Sequence, residues 1–184
     1  MRKLLFLIVM VIFAMSSIGM CAVPDPNAGI GDTQVGYNYY NLKKTGGVSQ
    51  GNAGFNEIYG NVGIGLGYGA FANYAQTDSI SYIDYGIKNS VLLPNVALMV
   101  GQRRMEADNV ARKNNLFYGV SIKQNLGQVT AYGTYQKGAD FRDENLGLTY
   151  GLNNNVQVNL SWKNYDDYSN NNYSGLGGGL IVKF

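Results

Sequence analysis

The feature that most constrains the fold is an alternation of period two that runs through the chain in blocks of about ten residues. Within 156–163, large apolar residues such as Val158 and Leu160 alternate with polar ones such as Asn159 and Lys163. The same alternation is found in the blocks 95–103, 115–124, 128–137 and 144–152. Strict alternation is typical of a β-strand with two unlike faces, and no apolar stripe of helical period follows residue 30. The sequence therefore predicts an all-β fold.

The N-terminal segment has the layout of a secretory signal peptide. A basic pair at residues 2–3 precedes an uninterrupted apolar run, Leu4–Met15, and small residues follow it. A membrane-spanning anchor needs about 20 apolar residues, which is more than this run supplies. We expect cleavage after Ala22 and export of the mature chain, with lipidation of Cys21 as the alternative.

Two architectures could produce this alternation. A soluble sandwich directs its polar face to water, whereas a transmembrane barrel directs its apolar face to lipid and its polar face to the lumen. Only 14% of the residues are charged, where a soluble domain carries roughly a quarter. Short breaks, at 124–127 and 153–155, alternate with longer ones, at 43–53, 104–114 and 166–172. Because short turns and longer loops alternate in transmembrane barrels, the pattern favours a barrel.

A count of the blocks predicts ten strands. We place them at 31–42, 54–64, 67–76, 79–89, 94–103, 115–124, 128–137, 142–151, 155–165 and 173–184. The stretch 54–76 exceeds one strand of about 9–11 residues, so we divide it near Gly65–Gly67. An even number leaves both chain ends on the inner side. Eight strands remain the alternative, and a β-bulge is expected near Ile80, which breaks the phase set by Ile83 and Tyr85.

Aromatic residues near the block ends are predicted to lie at the membrane interfaces, as in the girdles of membrane barrels. These interface aromatics are Tyr39, Tyr74, Tyr135 and Trp162.

The last block, 173–184, ends on Phe184 and carries Leu180 and Val182 on the same face. It resembles the closing strand of bacterial outer-membrane β-barrels, whose terminal Phe and alternating apolar residues are read by the barrel-assembly machinery. The resemblance implies a small barrel of the porin-like class in the outer membrane of a Gram-negative-type cell envelope. It also implies outer-membrane lipid and the assembly machinery as partners, with Leu180, Val182 and Phe184 as the assembly signal. The predicted organisation is a signal peptide at 1–22, a short segment at 23–30 and an antiparallel up-and-down barrel at 31–184.

The alternation directs a set of charged side chains into the lumen. These lumen charges are Glu57, Asp84, Lys88, Arg103, Lys123 and Lys163. Because an unpaired charge is unfavourable in a low-dielectric interior, one hypothesis is a structural ion-pair network that fills the lumen. The other is a narrow pore for ions or very small solutes, mildly selective for anions. Inward glycines, namely Gly63, Gly119 and Gly147, would reduce the filled volume and favour such a pore.

The composition excludes several classes of function. The chain has no His, one Cys and a net charge of +2. It therefore lacks an imidazole base or ligand, an intrachain disulfide and a broad basic face for nucleic acid. Because the barrel enzymes suggested by the resemblance rely on His, we predict no enzymatic activity, no cofactor and no metal site. Surface adhesion or recognition through the outer loops is the alternative function.

Overall fold

Ten antiparallel strands form a closed wall in the computed structural model, which describes residues 31–45, 51–77, 80–93, 95–107, 110–168 and 171–184. The strands are β1 (Thr33–Thr45), β2 (Gly51–Gly65), β3 (Tyr68–Gln76), β4 (Ile80–Leu93), β5 (Val96–Ala107), β6 (Val110–Leu126), β7 (Val129–Gly138), β8 (Arg142–Gly151), β9 (Val156–Asp166) and β10 (Asn172–Lys183). Each strand pairs with its neighbours in sequence, and β1 pairs with β10. The ten-stranded all-β prediction is confirmed, and the eight-stranded alternative is wrong. The predicted signal peptide, 1–22, and the segment 23–30 lie outside the described residues.

No helix among the described residues is long and apolar enough to cross a membrane.

The two faces of the wall differ as the alternation predicts. On β9, Leu160 is 60% exposed on the outside, whereas Asn159 and Lys163 are 5% and 2% exposed on the inside. The outward residues of the other strands form a continuous apolar belt that includes Val100 and Leu148. Because the closed wall pairs its backbone groups between strands, this belt can meet lipid without exposing an edge.

The two ends of the barrel differ in the length of their connections. Four short turns, the start of β1 at Thr33 and the end of β10 at Lys183 lie at one end of the barrel, which we call the terminal end. The connections β1–β2, β3–β4, β5–β6, β7–β8 and β9–β10 lie at the other, which we call the loop end. The turn Leu66–Gly67 at the terminal end has φ angles of 53° and 76°. These angles suit a two-residue hairpin, and they confirm the predicted division of 54–76.

At the loop end the strands run further than predicted. β5 continues to Ala107 and β6 begins at Val110, so most of the predicted loop 104–114 is strand. The predicted loops 43–53 and 166–172 are shortened in the same way. The apolar alternation stops before the strands do, because the outward side chains there are polar. They form a polar collar that includes Arg104, Glu106, Arg112, Arg142, Glu144 and Asp166.

The β-bulge predicted near Ile80 is wrong. β4 pairs with β5 without a shift from Ile80 to Asn89, and the register shift lies between Asn89 and Leu93. Ile80 is 8% exposed and shares the inward face with Tyr82 and Asp84. An apolar residue breaks the expected phase here because part of the interior near the loop end is apolar.

Inward aromatic rings lie on glycines of the neighbouring strand. The cross-strand pairs are Tyr59 with Gly36, Phe71 with Gly86, Phe117 with Gly101, Tyr132 with Gly147 and Tyr40 with Gly177. A Cβ atom added at any of these glycines would lie within 3.0 Å of the ring. The expectation that inward glycines widen the lumen is therefore wrong at Gly147, where the Tyr132 ring occupies the space. At Gly119 the Met99 and Gln136 side chains lie against the corresponding position.

β1 and β10 close the barrel along a seam that is rich in glycine. The seam glycines on the inward face of β10 are Gly175, Gly177 and Gly179, which lie opposite Leu42, Tyr40 and Asn38 of β1. A methyl group at Gly175 or Gly179 would collide with carbonyl groups of the β1 backbone. The close approach of the two backbones therefore requires glycine at these positions.

An arginine on the apolar belt tests the assignment of faces. We expect Leu160→Arg to lower the free energy of unfolding by about 2–4 kcal/mol, because the charge would meet hydrocarbon. Asn41→Arg, which places the same side chain on the outer face of β1 nearer the loop end, should cost about 1 kcal/mol or less. Urea unfolding in lipid vesicles measures the free energy of unfolding of both variants. Equal decreases for the two variants would contradict the assignment of the lipid-facing belt.

Glycine substitutions on β8 test the packing of the rings. Gly147→Ala should destabilise the barrel by about 1–3 kcal/mol, because the new methyl group displaces the Tyr132 ring. Gly151→Ala is the matched control, since the atoms nearest its added Cβ lie 3.9 and 4.0 Å away. Urea unfolding in lipid vesicles compares the two variants. An unchanged free energy of unfolding for Gly147→Ala would show that the Tyr132 ring can pack without a glycine opposite it.

Candidate functional site

Five charged side chains meet in the lumen and form what we call the interior ion cluster. Its members are Glu57, Asp84, Arg103, Asp143 and Lys163. At its centre, the Arg103 side chain is 0% exposed. Its Nε and Nη2 donate to the two carboxylate oxygens of Asp84 at 2.7 and 2.6 Å, and Nη2 also donates to Asp143 at 3.1 Å. This two-pronged contact with Asp84 is the geometry in which a guanidinium binds a carboxylate most strongly.

Lys163 forms the second half of the cluster. Its Nζ lies 3.2 Å from Glu57 Oε1 and 2.9 Å from Asp143 Oδ1. Asp143 therefore joins the two cations, and it also accepts a hydrogen bond from the Tyr82 hydroxyl at 3.0 Å. Every formal charge of the cluster has at least one opposite charge within 3.2 Å.

The ion pairs cross the lumen instead of following the wall. The Arg103–Asp143 pair joins β5 to β8, and β6 and β7 lie between those strands in the wall. The Lys163–Glu57 pair joins β9 to β2, which β10 and β1 separate. Side chains from five strands thus fill the cross-section of the barrel at this level.

Aromatic side chains surround the cluster on the side of the loop end and form an aromatic layer. The layer contains Tyr40, Phe55, Tyr82, Phe141, Tyr165 and Tyr173. The Arg103 guanidinium carbon lies 3.8 Å from the ring centres of both Tyr82 and Phe141. Since Phe141 belongs to the β7–β8 connection, a residue of the loop end covers the central cation. Cation–π contacts are strongest when both partners are shielded from water, as they are here.

A polar layer lies on the other side of the cluster. Asn159 donates to Asn38 Oδ1 at 2.8 Å and accepts from the Tyr132 hydroxyl at 2.9 Å, which links β9 to β1 and β7. Next to these residues is a cavity of about 50 Å³. Its polar lining includes Asn73, Asn145, Thr134 and Gln136 together with Glu57, Asp143 and Lys163. A cavity of this size and polarity has room for a few water molecules.

All six predicted lumen charges lie in the interior. Glu57, Asp84, Arg103 and Lys163 belong to the cluster, whereas Lys88 and Lys123 lie nearer the terminal end, 1% and 3% exposed. Sequence reasoning missed Asp143, the carboxylate that joins the two cations. The signal was present, because the outward residues Leu146 and Leu148 of β8 put every odd-numbered residue of that strand inside.

The remaining predicted residues lie on the outer surface. Tyr39 and Tyr74 are 49% and 41% exposed, and Tyr135 and Trp162 are half-buried against their outward neighbours. The assembly-signal residues Leu180, Val182 and Phe184 lie on the outer face at the terminal end, 52%, 37% and 76% exposed.

The cluster pairs its opposite charges with one another. Each cation contacts two of the three carboxylates, and rings, amides and the small polar cavity surround them. In the described part of the chain, no three His, Cys, Asp or Glu side chains are placed to hold a metal ion. The arrangement suits a plug across the barrel.

Comparison with known proteins gives the fold. No protein-family model matches the chain, and no curated protein matches it in sequence. The chain is similar in structure to the outer membrane phospholipase A from Escherichia coli, with 9% identity, 95% of this chain and 96% of that chain covered, and a TM-score of 0.50. It is also similar to Neisserial surface protein A, with 13% identity, 84% and 99% covered and a TM-score of 0.45. The KdgM porin matches with 9% identity, 82% and 99% covered and a TM-score of 0.47.

The closed ten-stranded wall, the apolar belt and this structural likeness define the class. The chain has the fold of the bacterial outer-membrane β-barrels. Because one fold serves unrelated functions, the fold does not select a role within this class.

Removing the central cation tests the cluster. We expect Arg103→Gln to lower the free energy of unfolding by about 3–5 kcal/mol, because it leaves buried carboxylates without their partner. The collar variant Arg112→Gln removes an arginine that is 52% exposed and should cost less than about 1 kcal/mol. Urea unfolding in lipid vesicles compares them, and a small loss for Arg103→Gln would mean that the cluster contributes little to stability.

Proposed function

We propose that this protein is a structural outer-membrane barrel whose lumen is closed by the interior ion cluster. The observation that carries the proposal is the crossing of the lumen by Arg103–Asp143 and Lys163–Glu57, with side chains at most 7% exposed. Of the two hypotheses for the lumen charges, this arrangement favours the ion-pair network over the narrow pore. With its lumen closed in this way, the barrel does not let ions or solutes cross the membrane.

The energetics favour a permanent plug. A desolvated charge that loses its partner costs several kcal/mol, so a solute that opened this layer would have to replace the ion pairs it broke. The stacking of Arg103 between Tyr82 and Phe141 adds to that barrier, because the guanidinium cannot swing aside without leaving both rings.

A non-enzymatic role is part of the proposal. The chain contains no His, so a nucleophile activated by imidazole is absent from it. The buried carboxylates are held in ion pairs with Arg103 and Lys163, which is unsuited to proton transfer with a substrate. The partners in this proposal are outer-membrane lipid and, during biogenesis, the barrel-assembly machinery, which would read Leu180, Val182 and Phe184.

The polar collar supports surface recognition as a second candidate function. β5 and β6 pair up to Ala107 and Val110, whereas β7 ends at Gly138, opposite Phe117. The β5–β6 hairpin therefore extends beyond the adjacent β7–β8 hairpin and presents Glu106 and Arg112 to the exterior. Binding of purified barrel to a surface, lost on deletion of the hairpin tip, would favour this role.

Planar-bilayer recording tests the plug. We expect the wild-type protein to produce no single-channel steps, because the ion cluster fills the lumen. The double variant Glu57→Ala/Lys163→Ala removes one acid and one base, so the net charge is unchanged while the layer is opened. We expect small, discrete steps from this variant.

The control removes a matched pair on the outside. Glu106→Ala/Arg112→Ala also takes away one acid and one base, and it should behave like the wild type. A shift in gel mobility on heating shows that each variant is folded. Single-channel steps from the wild-type protein would overturn the proposal in favour of the narrow pore. If Glu57→Ala/Lys163→Ala also gives no conductance, the ion pairs are not what closes the lumen.

A further inference from the structure

The lipid-facing wall carries a furrow on the outside of β4, β5 and β6. Its volume is about 530 Å³, and its lining is nearly all apolar. The residues along it are Tyr85, Ile87, Val100, Gln102, Leu116 and Tyr118, with backbone of Gly86, Gly101 and Phe117 at its floor.

The floor of the furrow is bare backbone where two inward-facing positions lie side by side. Gly86 of β4 pairs with Gly101 of β5, and the rings of Phe71 and Phe117 occupy the inner side of the wall there. The outward side chains on either side of this pair, including Tyr85, Ile87 and Val100, stand about half exposed. They form the banks of a groove that lies within the apolar belt, where acyl chains are the surrounding solvent.

The end of the furrow nearer the loop end is polar. The Tyr85 hydroxyl donates to Gln102 Oε1 there, and Arg104 is the next outward residue of β5. The side chain of Arg104 is 42% exposed, and its ion pair with Glu106 is loose, at 3.8 Å. Glu106 has a closer partner in Arg112, whose Nε donates to it at 2.6 Å. Arg104 thus keeps most of its hydrogen-bonding capacity for an anion.

A second cation borders the furrow on β7. Lys137 lies in register with Tyr118, on the outer face. Within the described residues it takes part in no ion pair or hydrogen bond. An apolar groove with one cation at its polar end and a second along its β7 side suits a lipid with an anionic headgroup, since Lys and Arg at the membrane surface attract such lipids.

We propose that this furrow is a binding site for a membrane lipid whose phosphate headgroup carries a net negative charge. One acyl chain lies between the β4 and β5 banks, and the phosphate contacts Arg104, with Lys137 adding attraction from β7. The proposal goes beyond the structural role of the barrel and does not depend on whether the lumen is closed.

Native mass spectrometry of the detergent-purified barrel tests the site. Phosphatidylglycerol is titrated as the anionic probe and phosphatidylcholine as the zwitterionic one. We expect the wild-type protein to bind phosphatidylglycerol more tightly, and Arg104→Gln to weaken that binding by about fivefold. Lys43→Gln, which removes an exposed lysine from the outer face of distant β1, is the matched control and should leave the affinity unchanged.

A second variant tests the groove itself. Val100→Trp fills the furrow with a side chain that lipid-facing walls tolerate, and it should weaken the binding of both lipids. Equal affinity of the wild type for the two lipids, or equal effects of Arg104→Gln and Lys43→Gln, would overturn the proposal. A dimer that Val100→Trp abolishes would also overturn it, because the furrow would then belong to an interface between copies of the chain.

Discussion

Closure of the hydrogen-bonded wall is the constraint on which the rest of this structure depends. Hydrocarbon offers no partner for a free backbone amide, so the first strand must pair with the last. Closure with ten strands sets the width of the interior, and the alternation sends half of each strand into it. The interior must then be filled and its polar groups satisfied. Rings that lie on glycines contribute to the filling of the interior, and ion pairs and amide hydrogen bonds pair many of its polar groups.

The interior ion cluster shows how charge can be placed where water is scarce. A carboxylate or a cation alone at this depth would be strongly unfavourable, and the attraction between them offsets that penalty only when their geometry is good. The wall supplies the geometry by directing Asp84 and Arg103 from adjacent strands and Asp143 from across the lumen. The same contacts that neutralise the charges also bind opposite sides of the barrel together.

Much of the fold follows from the sequence, because one period-two signal determines strand number, faces and the interior position of residues such as Arg103. The strand ends at the collar do not follow, since Arg104 and Glu106 interrupt the apolar signal while the strand continues. The inward position of Ile80 does not follow from the sequence either. An apolar residue can face lipid on the outside or an apolar layer on the inside, and alternation does not distinguish the two. The contact of Arg103 with Asp143 is beyond the sequence for another reason. It depends on which strands face each other across the lumen, and that depends on closure.

The glycine-rich seam has a consequence for how the chain finds its closing register. Three inward residues of β1 lie opposite the three seam glycines of β10, with the side chains of Tyr40 and Asn38 against Gly177 and Gly179. Tyr173 and Ile181 border the seam glycines on the same face. A slip of one residue would turn the faces of the strand over. A slip of two would keep the faces but place Leu42 opposite Tyr173 or Asn38 opposite Ile181. Recognition between the first and last strands therefore depends on side-chain size, so two segments at opposite ends of the chain can meet in one register without a turn to align them.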